Sequence, residues 1–540
     1  MFIVAIAFLG VNYLFRLSPE QMIPLWDSAI YLNAPWQLAH NGVFTWMGAR
    51  PVANILSAFS IWLLDDSVVA VNYLSILIFA AGLFFYYRTA KLVFDNSLDG
   101  LLLCLILGMS YLVTFWVRNS VPYSLGITTV IISAYLIVSH KNLLYVTLIL
   151  AIGFLSHPSV LFFILPYGVY VLVRAYAPPR GLPGASFYRL AAKHGLVFVA
   201  PIVIYEFAVR LNRFITSYPG DTSAQGVIPS EIASKIPFAE TFHSLFEYAP
   251  PWLLKFLSNA DANNINESYI RESWAYSSSS ASTAWGQATW FDGLTFYPEV
   301  IAYLENPFIA LLILLGIILL FVHWRTVQLG RLRDISIILA VALTIIVLNA
   351  VRGGITVARG IMVVYPIVLL VSYFIVRKAL DRTASMHGVR FAGTIRIAGY
   401  ALLVIFLGYS IHFNSSLYAA TTPYWKIKNQ IEARPEKVIY VCSRHKVLWR
   451  FLLNDLARKE IKLISNQAEA RSFNALASPK VLVICQYADP AILSQIKREN
   501  ALVSDSFSNE FSNLGITFAE GGNIHPGIKS NPDRTTIMVY

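Results

Sequence analysis

Long apolar runs recur along most of this chain and are separated by short polar stretches. A window of about 20 residues, the length that crosses a bilayer as an α-helix, places about eleven spans. These spans cover residues 2–15, 68–87, 99–117, 122–139, 143–156, 158–173, 195–211, 306–323, 335–350, 361–376 and 397–413. The pattern therefore predicts an all-α polytopic membrane domain over residues 1–423.

The pattern changes after this domain, where short continuous apolar runs alternate with helical periodicity. The candidate strands are Lys437-Val-Ile-Tyr-Val-Cys442, Ile461–Ser465 and Lys480-Val-Leu-Val-Ile-Cys485, and the candidate helices are 446–459 and 490–499. Strands that alternate with helices predict a small α/β domain with a parallel sheet over residues 424–540. No glycine-rich phosphate loop follows the first strand, which argues against a nucleotide site there.

Lys and Arg residues fall mainly in alternate loops, and this asymmetry predicts the orientation in the membrane. With a cytoplasmic N-terminus, the basic loops at Arg88–Lys91, Arg174–Lys193 and Arg377–Arg396 all become cytoplasmic. The C-terminal domain then lies outside, together with a first external loop at 16–51. A second external loop at 212–305 is rich in Ser, Asn and Trp, and loops of this length are usually functional or disordered.

Composition agrees with a membrane location. Hydrophobic residues make up 56% of the chain, charged residues 13%, and the mean hydropathy is +0.59, whereas soluble domains average about 25% charged residues. The net charge of +11 is typical of cytoplasmic loops that contact anionic lipid. Because there is no Arg-rich tail or nucleic-acid motif, we expect no nucleic-acid partner. The expected location is the inner or plasma membrane.

The three cysteines leave one question open. Cys104 lies within a predicted span, where packing explains it. Cys442 and Cys485 end two candidate strands, and they are either a disulfide or two buried thiols, because connectivity cannot be read from sequence. No Cys/His cluster has zinc spacing, so we expect no metal.

Short motifs follow one another in a recognisable order. They are Asp27-Ser-Ala-Ile-Tyr31 with Ala39-His-Asn-Gly42, Arg50-Pro51, Leu64-Asp-Asp-Ser67 before Val71-Asn-Tyr-Leu-Ser75, Ile152-Gly-Phe-Leu-Ser-His-Pro-Ser159, and Ala358-Arg-Gly-Ile-Met-Val-Val-Tyr-Pro366. Together they resemble the GT-C superfamily of integral-membrane glycosyltransferases. The likeness is to the branch of the protein O-mannosyltransferases and the lipid A aminoarabinose transferase, and it covers roughly residues 20–375.

The resemblance implies a GT-C-like fold and a defined reaction. A sugar would move from a polyprenyl or dolichyl phosphate to a lipid, glycan or protein acceptor on the external face, with inversion. The lipid-linked sugar is a substrate, and no cofactor is implied. Membrane lipids are expected partners, and a partner subunit that binds the C-terminal domain is left open.

Such a transfer needs a base for the acceptor hydroxyl, and Asp27 is the candidate. Its alternative role is a helix N-cap. Many relatives have Asp-Glu here, whereas this chain has Asp27-Ser28, so a second carboxylate would come from Asp66 or Glu206. The alternative role of Asp66 is a cap on the second span, and the alternative for Glu206 is a structural pair with Arg210 one helical turn on.

The leaving phosphate needs cations and hydrogen-bond donors near the outer face. The candidates for donor phosphate or sugar binding are Arg50, Arg118, His157, Arg352, Arg359 and Tyr365. For the arginines the alternative is anchoring to lipid head groups. For His157 it is a structural turn, and for Tyr365 it is packing.

Two rival functions remain from sequence. A membrane scaffold or assembly subunit would keep the fold and lose the chemistry, which the missing second acid allows. A polymerase or ligase of lipid-linked glycans would usually need an acidic metal-binding pair, for which Asp65-Asp66 is the nearest sequence. A transporter is disfavoured because no inverted repeat or pair of broken helices is visible.

Overall fold

The protein is described from a computed structural model. Besides scattered positions between 3 and 40, the described residues are 51–64, 67–117, 123–176, 187–216, parts of 294–302, 305–323, 329–351, 361–419, 423–442, 458–464, 466–484, 490–496, 502–508, 517–518, 524–525 and 534–540. They form two compact units, residues 1–15 with 34–414 and residues 16–33 with 415–540. We call these the membrane unit and the tail unit.

The membrane unit consists of helices throughout its described part. They are α1 Pro51–Leu64, α2 Ser67–Phe94, α3 Ser97–Gly108, α4 Tyr111–Val117, α5 Tyr123–Val138, α6 Leu143–Phe154, α7 Leu161–Tyr176, α8 Phe187–Thr216, α9 Pro307–His323, α10 Arg333–Val351 and α11 Tyr365–Ala419. Short 3₁₀ turns at Pro158–Val160 and Gly330–Leu332 precede α7 and α10. Several bounds follow the apolar runs within a few residues.

Helix α2 is central to the packing because it contacts α1, α3 and α5. Helix α5 also packs against α6, and α6 packs against α8. Small residues allow the close contacts. A Cβ added at Gly82 would lie 2.6 Å from Thr128 Oγ1, and one at Gly153 would lie 2.5 Å from Thr129 Oγ1. Thr128 Oγ1 also donates to the carbonyl of Ile78 at 3.1 Å. Glycine and threonine at helix contacts are typical of membrane bundles.

Among the described helices, Val69–Phe94 is long and apolar enough to cross a membrane, and the other apolar helices found have 10–17 residues. Many of their outward side chains are large and apolar, such as Trp62 at 69% exposure and Phe321 at 76%. Surfaces of this kind suit contact with lipid rather than water.

Helix α11 runs from Tyr365 to Ala419 and contains the predicted span 397–413 and all but the first four residues of the predicted span 361–376. If it were straight, Ser372 and Ser410 would be ~57 Å apart at ~1.5 Å per residue. Yet a Cβ at Gly316 would lie 2.7 Å from Ser372 Cβ, and Asn306 Nδ2 donates to Ser410 Oγ at 2.6 Å. Asn306 and Gly316 lie only ~15 Å apart along α9, so α11 bends back and both predicted spans pack against α9.

A buried carboxylate fixes the junction of α2 and α3 at the predicted cytoplasmic end. Asp99 is 5% exposed and accepts from Tyr373 Oη at 2.5 Å and Asn96 Nδ2 at 2.9 Å. Arg377 Nε lies 3.6 Å from the same carboxylate, and Arg377 also pairs with Asp381 one turn along α11. These bonds tie the start of α3 to α11.

The tail unit begins with helix α12, Pro423–Glu432, and contains a five-stranded sheet of order β2-β1-β3-β7-β4. The strands are β1 Val438–Cys442, β2 Glu460–Leu463, β3 Val481–Ile484, β4 Leu502–Ser508 and β7 Arg534–Val539; β5 Thr517–Phe518 and β6 Ile524–His525 form a separate pair. Short helices α13 Gln467–Asn474 and α14 Pro490–Leu493 flank β3 in sequence.

The predicted parallel sheet is correct for three strands and wrong for two. Strand β1 pairs in parallel with β2 and β3, with Val441 opposite Leu463 and Val483. Strand β7 runs antiparallel to β3 and β4, so the sheet is mixed. Polar residues interrupt the apolar pattern of β4 and β7, which explains why periodicity missed them. The helix predicted over 446–459 lies almost wholly outside the described residues, as does Cys485, so its pairing with Cys442 is untested.

Candidate functional site

The turn between α6 and α7 contains a buried polar arrangement built around His157. Its side chain is 1% exposed, and its ring centroid lies 4.2 Å from that of Tyr123. Ser159 donates its backbone N–H to His157 Nδ1 at 3.1 Å, and Ser159 Oγ lies 2.6 Å from the same nitrogen. Because a backbone N–H can only donate, Nδ1 accepts, and the neutral ring carries its proton on Nε2.

Other segments that contain predicted motifs meet this end of the bundle. Val52, directly after Arg50-Pro51, donates its N–H to the carbonyl of Leu155 at 3.2 Å. Ser75 of the second motif segment donates to the carbonyl of Val117 at 2.7 Å and to Ser124 Oγ at 2.9 Å. These contacts bring the starts of α1 and α5, the outer part of α2, the end of α4 and the α6–α7 turn together.

Of the predicted site residues, the structure describes the side chains of His157 and Tyr365. Asp27, Arg50, Asp66, Arg118, Arg352 and Arg359 lie outside the described residues, and for Glu206 only the helical backbone of α8 is described. Their catalytic and phosphate-binding roles remain predictions. The described segments nevertheless end at Pro51 and Val117, next to Arg50 and Arg118.

A second polar cluster surrounds Glu305, which the sequence analysis missed. The Glu305 side chain is 4% exposed. Its Oε2 accepts from Ser110 Oγ at 2.5 Å and from Tyr365 Oη at 2.5 Å. Its Oε1 accepts from the backbone N–H groups of Tyr111 at 2.8 Å and Asn306 at 2.7 Å. We call these five residues the Glu305 cluster.

Helix N-termini explain why a carboxylate is stable at this buried position. Tyr111, Pro307 and Tyr365 are the first residues of α4, α9 and α11, so three helices begin around Glu305. Backbone N–H groups at a helix start have no intrahelical acceptor, and the helix dipole favours a negative charge there. The four donors give each oxygen of the Glu305 carboxyl group two hydrogen bonds, so its acceptor positions are filled.

The Glu305 cluster lies at depth within the bundle. Arg377, which lies near Asp99 at the predicted cytoplasmic end, is ~18 Å from Tyr365 along α11. This distance is more than half of the hydrocarbon core of a bilayer, which is about 30 Å thick. A neighbouring hydrogen bond also holds the start of α11, since Tyr86 Oη donates to the carbonyl of Pro366 at 2.8 Å. Tyr365 itself is fully buried.

Two sequence signals concern Glu305, and they favour different interpretations. Asn306 caps α9 by accepting from the N–H of Phe308 at 3.0 Å, and Pro307 is the first helical residue, so an acid just before them reads as an ordinary helix start. The second signal is the position of Glu305 at the edge of an apolar span, where an acid is a candidate for function.

The structure gives no support to a metal site in the part that it describes. Among those residues, no group of three or more His, Cys, Asp or Glu side chains is arranged to hold a metal ion. The expected absence of a metal remains a prediction, because Asp27, Asp65 and Asp66 are not among them.

Comparison with known proteins found no matching protein-family model and no matching curated sequence. Similar solved structures exist. The oligosaccharyltransferase of Archaeoglobus fulgidus, solved with a tethered acceptor peptide, has a TM-score of 0.48 at 10% identity over 89% of this chain and 68% of that chain. ArnT from Cupriavidus metallidurans, solved with undecaprenyl phosphate, has a TM-score of 0.37 at 11% identity over 99% of this chain and 97% of that chain.

At 10–12% identity, these likenesses concern the fold alone. The apo form of ArnT gives a TM-score of 0.40 at 12% identity. With every TM-score below 0.5, no donor, acceptor or residue role follows from the likeness. Those assignments depend on the residues of this chain.

Proposed function

We propose that this chain is a GT-C-type glycosyltransferase. It moves a sugar from a polyprenyl-phosphate donor to a lipid, glycan or protein acceptor on the external face of the membrane, with inversion and without a metal. The donor class and the inversion come from the motif resemblance. Undecaprenyl phosphate, the lipid present in one ArnT structure, is the first donor lipid to test.

One observation supports this proposal above the others, namely the convergence of motif segments that are distant in sequence. Val52 is bonded to Leu155, and Ser75 is bonded to Val117 and Ser124. The chain neighbours of Arg50 and Arg118 therefore lie at the same end of the bundle as His157. A phosphate that leaves as an anion needs several donors directed at one place.

The chemistry assigns a role to Asp27, to four arginines and to His157. Asp27 accepts the proton of the acceptor hydroxyl as that oxygen attacks the anomeric carbon. The bond from the anomeric carbon to the phosphate oxygen breaks on the opposite face, and the lipid phosphate leaves with the electron pair. Arg50, Arg118, Arg352 and Arg359 are proposed to hold that phosphate. His157, neutral with a proton on Nε2, is suited to donate a hydrogen bond rather than to act as a cation.

The test is transfer by the purified protein in liposomes from a panel of polyprenyl-phosphate sugars. Wild type is compared with Asp27→Asn, and Asp381→Asn is the control because it removes an exposed acid paired only with Arg377 among the described contacts. Loss of transfer in Asp27→Asn alone, at unchanged thermal stability, supports the proposal. Equal transfer in wild type and Asp27→Asn removes Asp27 as the base and points to Asp66 or Glu206.

The scaffold alternative is favoured by one feature, the serine that follows Asp27 where many relatives have a second acid. If wild type neither transfers nor binds any donor in the panel, the enzyme proposal is wrong. A lipid-linked glycan polymerase or ligase would instead use only diphosphate-linked oligosaccharides and respond to divalent cations. A diphosphate-linked oligosaccharide, tested with and without a divalent cation, is added to the panel to separate this result from the scaffold result.

A further inference from the structure

The Glu305 cluster joins three parts of the chain that are far apart in sequence. The four donors to its carboxylate come from Ser110 and Tyr111 between α3 and α4, from Asn306 at the start of α9, and from Tyr365 at the start of α11. Because each oxygen accepts two bonds, the carboxylate fixes three helix starts relative to one another. Glutamine at this position would lose at least one of these bonds, because its amide nitrogen cannot accept.

Each of these helix starts adjoins a segment with a predicted role in the transfer. Arg118 follows Tyr111 by seven residues, with α4 between them. Arg359 precedes Tyr365 by six residues, and Glu305 ends the predicted loop 212–305. A shift at the cluster would therefore be passed to segments that are proposed to hold the donor.

We propose that Glu305 is a positioning residue for binding of the polyprenyl-phosphate donor, an inference that rests on the proposed glycosyl transfer. Glu305 does not touch the substrate. Its side chain, with four hydrogen bonds, sets the places at which α4, α9 and α11 begin, and thereby the geometry of the donor-binding side of the bundle.

A matched pair of tyrosines separates this role from general stabilisation. Tyr365 and Tyr86 are both buried and each donates one hydroxyl hydrogen bond, but Tyr365 donates to Glu305 and Tyr86 to the carbonyl of Pro366. Tyr365→Phe therefore removes a donor from the cluster, and Tyr86→Phe removes a comparable bond beside it. Glu305→Gln removes the charge at nearly constant size, and Glu305→Asp retains the charge on a shorter side chain.

The experiment measures the affinity for undecaprenyl phosphate, the donor KM and kcat, and thermal unfolding for wild type and the four variants. We expect Glu305→Gln to weaken donor binding about tenfold, which corresponds to about 1.4 kcal/mol. Glu305→Asp should recover part of that loss. Tyr365→Phe should weaken binding about threefold, and Tyr86→Phe should leave it at the wild-type value.

The double variant Glu305→Gln/Tyr365→Phe tests whether Tyr365 acts through Glu305. If it does, the two effects on donor affinity are not additive, whereas direct contact of Tyr365 with the donor makes them add. Additivity, or equal weakening by Tyr86→Phe and Tyr365→Phe, would overturn the positioning role. So would wild-type donor affinity in folded Glu305→Gln. These results differ from failure of the proposed function, in which wild type itself transfers nothing.

Discussion

Exchange of Gly153 for alanine should destabilise the membrane unit, whereas the same exchange at Gly168 should not. Gly153 is part of the motif that leads to His157, and a Cβ there would lie 2.5 Å from Thr129 Oγ1, 3.0 Å from Thr129 Cβ and 3.2 Å from Val160 Cγ1. Nothing lies within 4 Å of a Cβ added at Gly168. The two glycines occupy helices α6 and α7, so the chemical change is identical and only the surroundings differ.

The expected loss of stability in Gly153→Ala depends on how little the neighbouring Thr129 side chain can move. Thr129 is β-branched, and its Oγ1 donates to the carbonyl of Gly126 at 2.8 Å, so rotation away from a new methyl group would break that bond. Overpacking of this kind costs about 1–3 kcal/mol. Alanine at the open position of Gly168 should instead stabilise the helix by roughly 0.5–1 kcal/mol, since glycine is the poorer helix former. Gly153→Ala gains the same helix propensity, so the two variants should differ in the free energy of unfolding by the overpacking cost, about 1–3 kcal/mol.

The assay is reversible unfolding of the full chain in detergent micelles, followed by tryptophan fluorescence. Thr129→Ala in the Gly153→Ala background removes Oγ1 and should restore most of the lost stability, while the same exchange in the wild type should not stabilise. Equal unfolding free energies for Gly153→Ala and Gly168→Ala would refute the argument from close packing. In that event the contact between α5 and α6 would be looser than the structure shows.

Lys480→Met should destabilise the tail unit by about 2–3 kcal/mol, because Lys480 Nζ donates to the carbonyls of Phe473 at 2.8 Å and Leu476 at 3.1 Å at the end of α13. Protection of the tail unit from proteolysis in urea measures this, and unchanged protection contradicts it. Burial lowers the pKa of Lys480 below 10.5. The folded state then loses this proton before the unfolded state does, so tail stability should rise with pH between the folded pKa and 10.5, and the rise should be absent in Lys480→Met. Asp99→Asn should lower membrane-unit stability by about 1–3 kcal/mol, while Asp381→Asn should change it by under about 1 kcal/mol; equal effects in thermal unfolding would contradict the role of burial.

Hydrophobic patterning predicted individual helices closely. The spans predicted over 143–156 and 306–323 correspond to α6 Leu143–Phe154 and α9 Pro307–His323. Such agreement has a physical cause, because an apolar run has to be helical wherever its backbone cannot bond to water. The strands at Val438–Cys442 and Val481–Ile484 were predicted for a related reason, since both are continuous apolar runs in a buried sheet.

The same patterning could not detect breaks within apolar runs. The predicted span 99–117 is two helices, because α3 ends at Gly108 and α4 begins at Tyr111. Ser110 caps α4 by accepting from the N–H of Val113 at 3.3 Å, and it also donates to Glu305. An apolar window averages over one serine, so the break and its partner both escape prediction.

The hydrogen bonds of Glu305 indicate that it is not a second catalytic carboxylate beside Asp27. The serine after Asp27 suggested that a second carboxylate has to come from elsewhere, and Glu305 is an acid buried among predicted spans. A base, however, needs a lone pair directed at the acceptor hydroxyl, and both oxygens of Glu305 already accept two hydrogen bonds each. Ser110 lies 195 residues away in sequence, so only tertiary structure could reveal that this acid is satisfied. Glu305 is therefore suited to hold the bundle in place rather than to move a proton, and the transfer assay on Asp27→Asn tests a mechanism with one catalytic carboxylate.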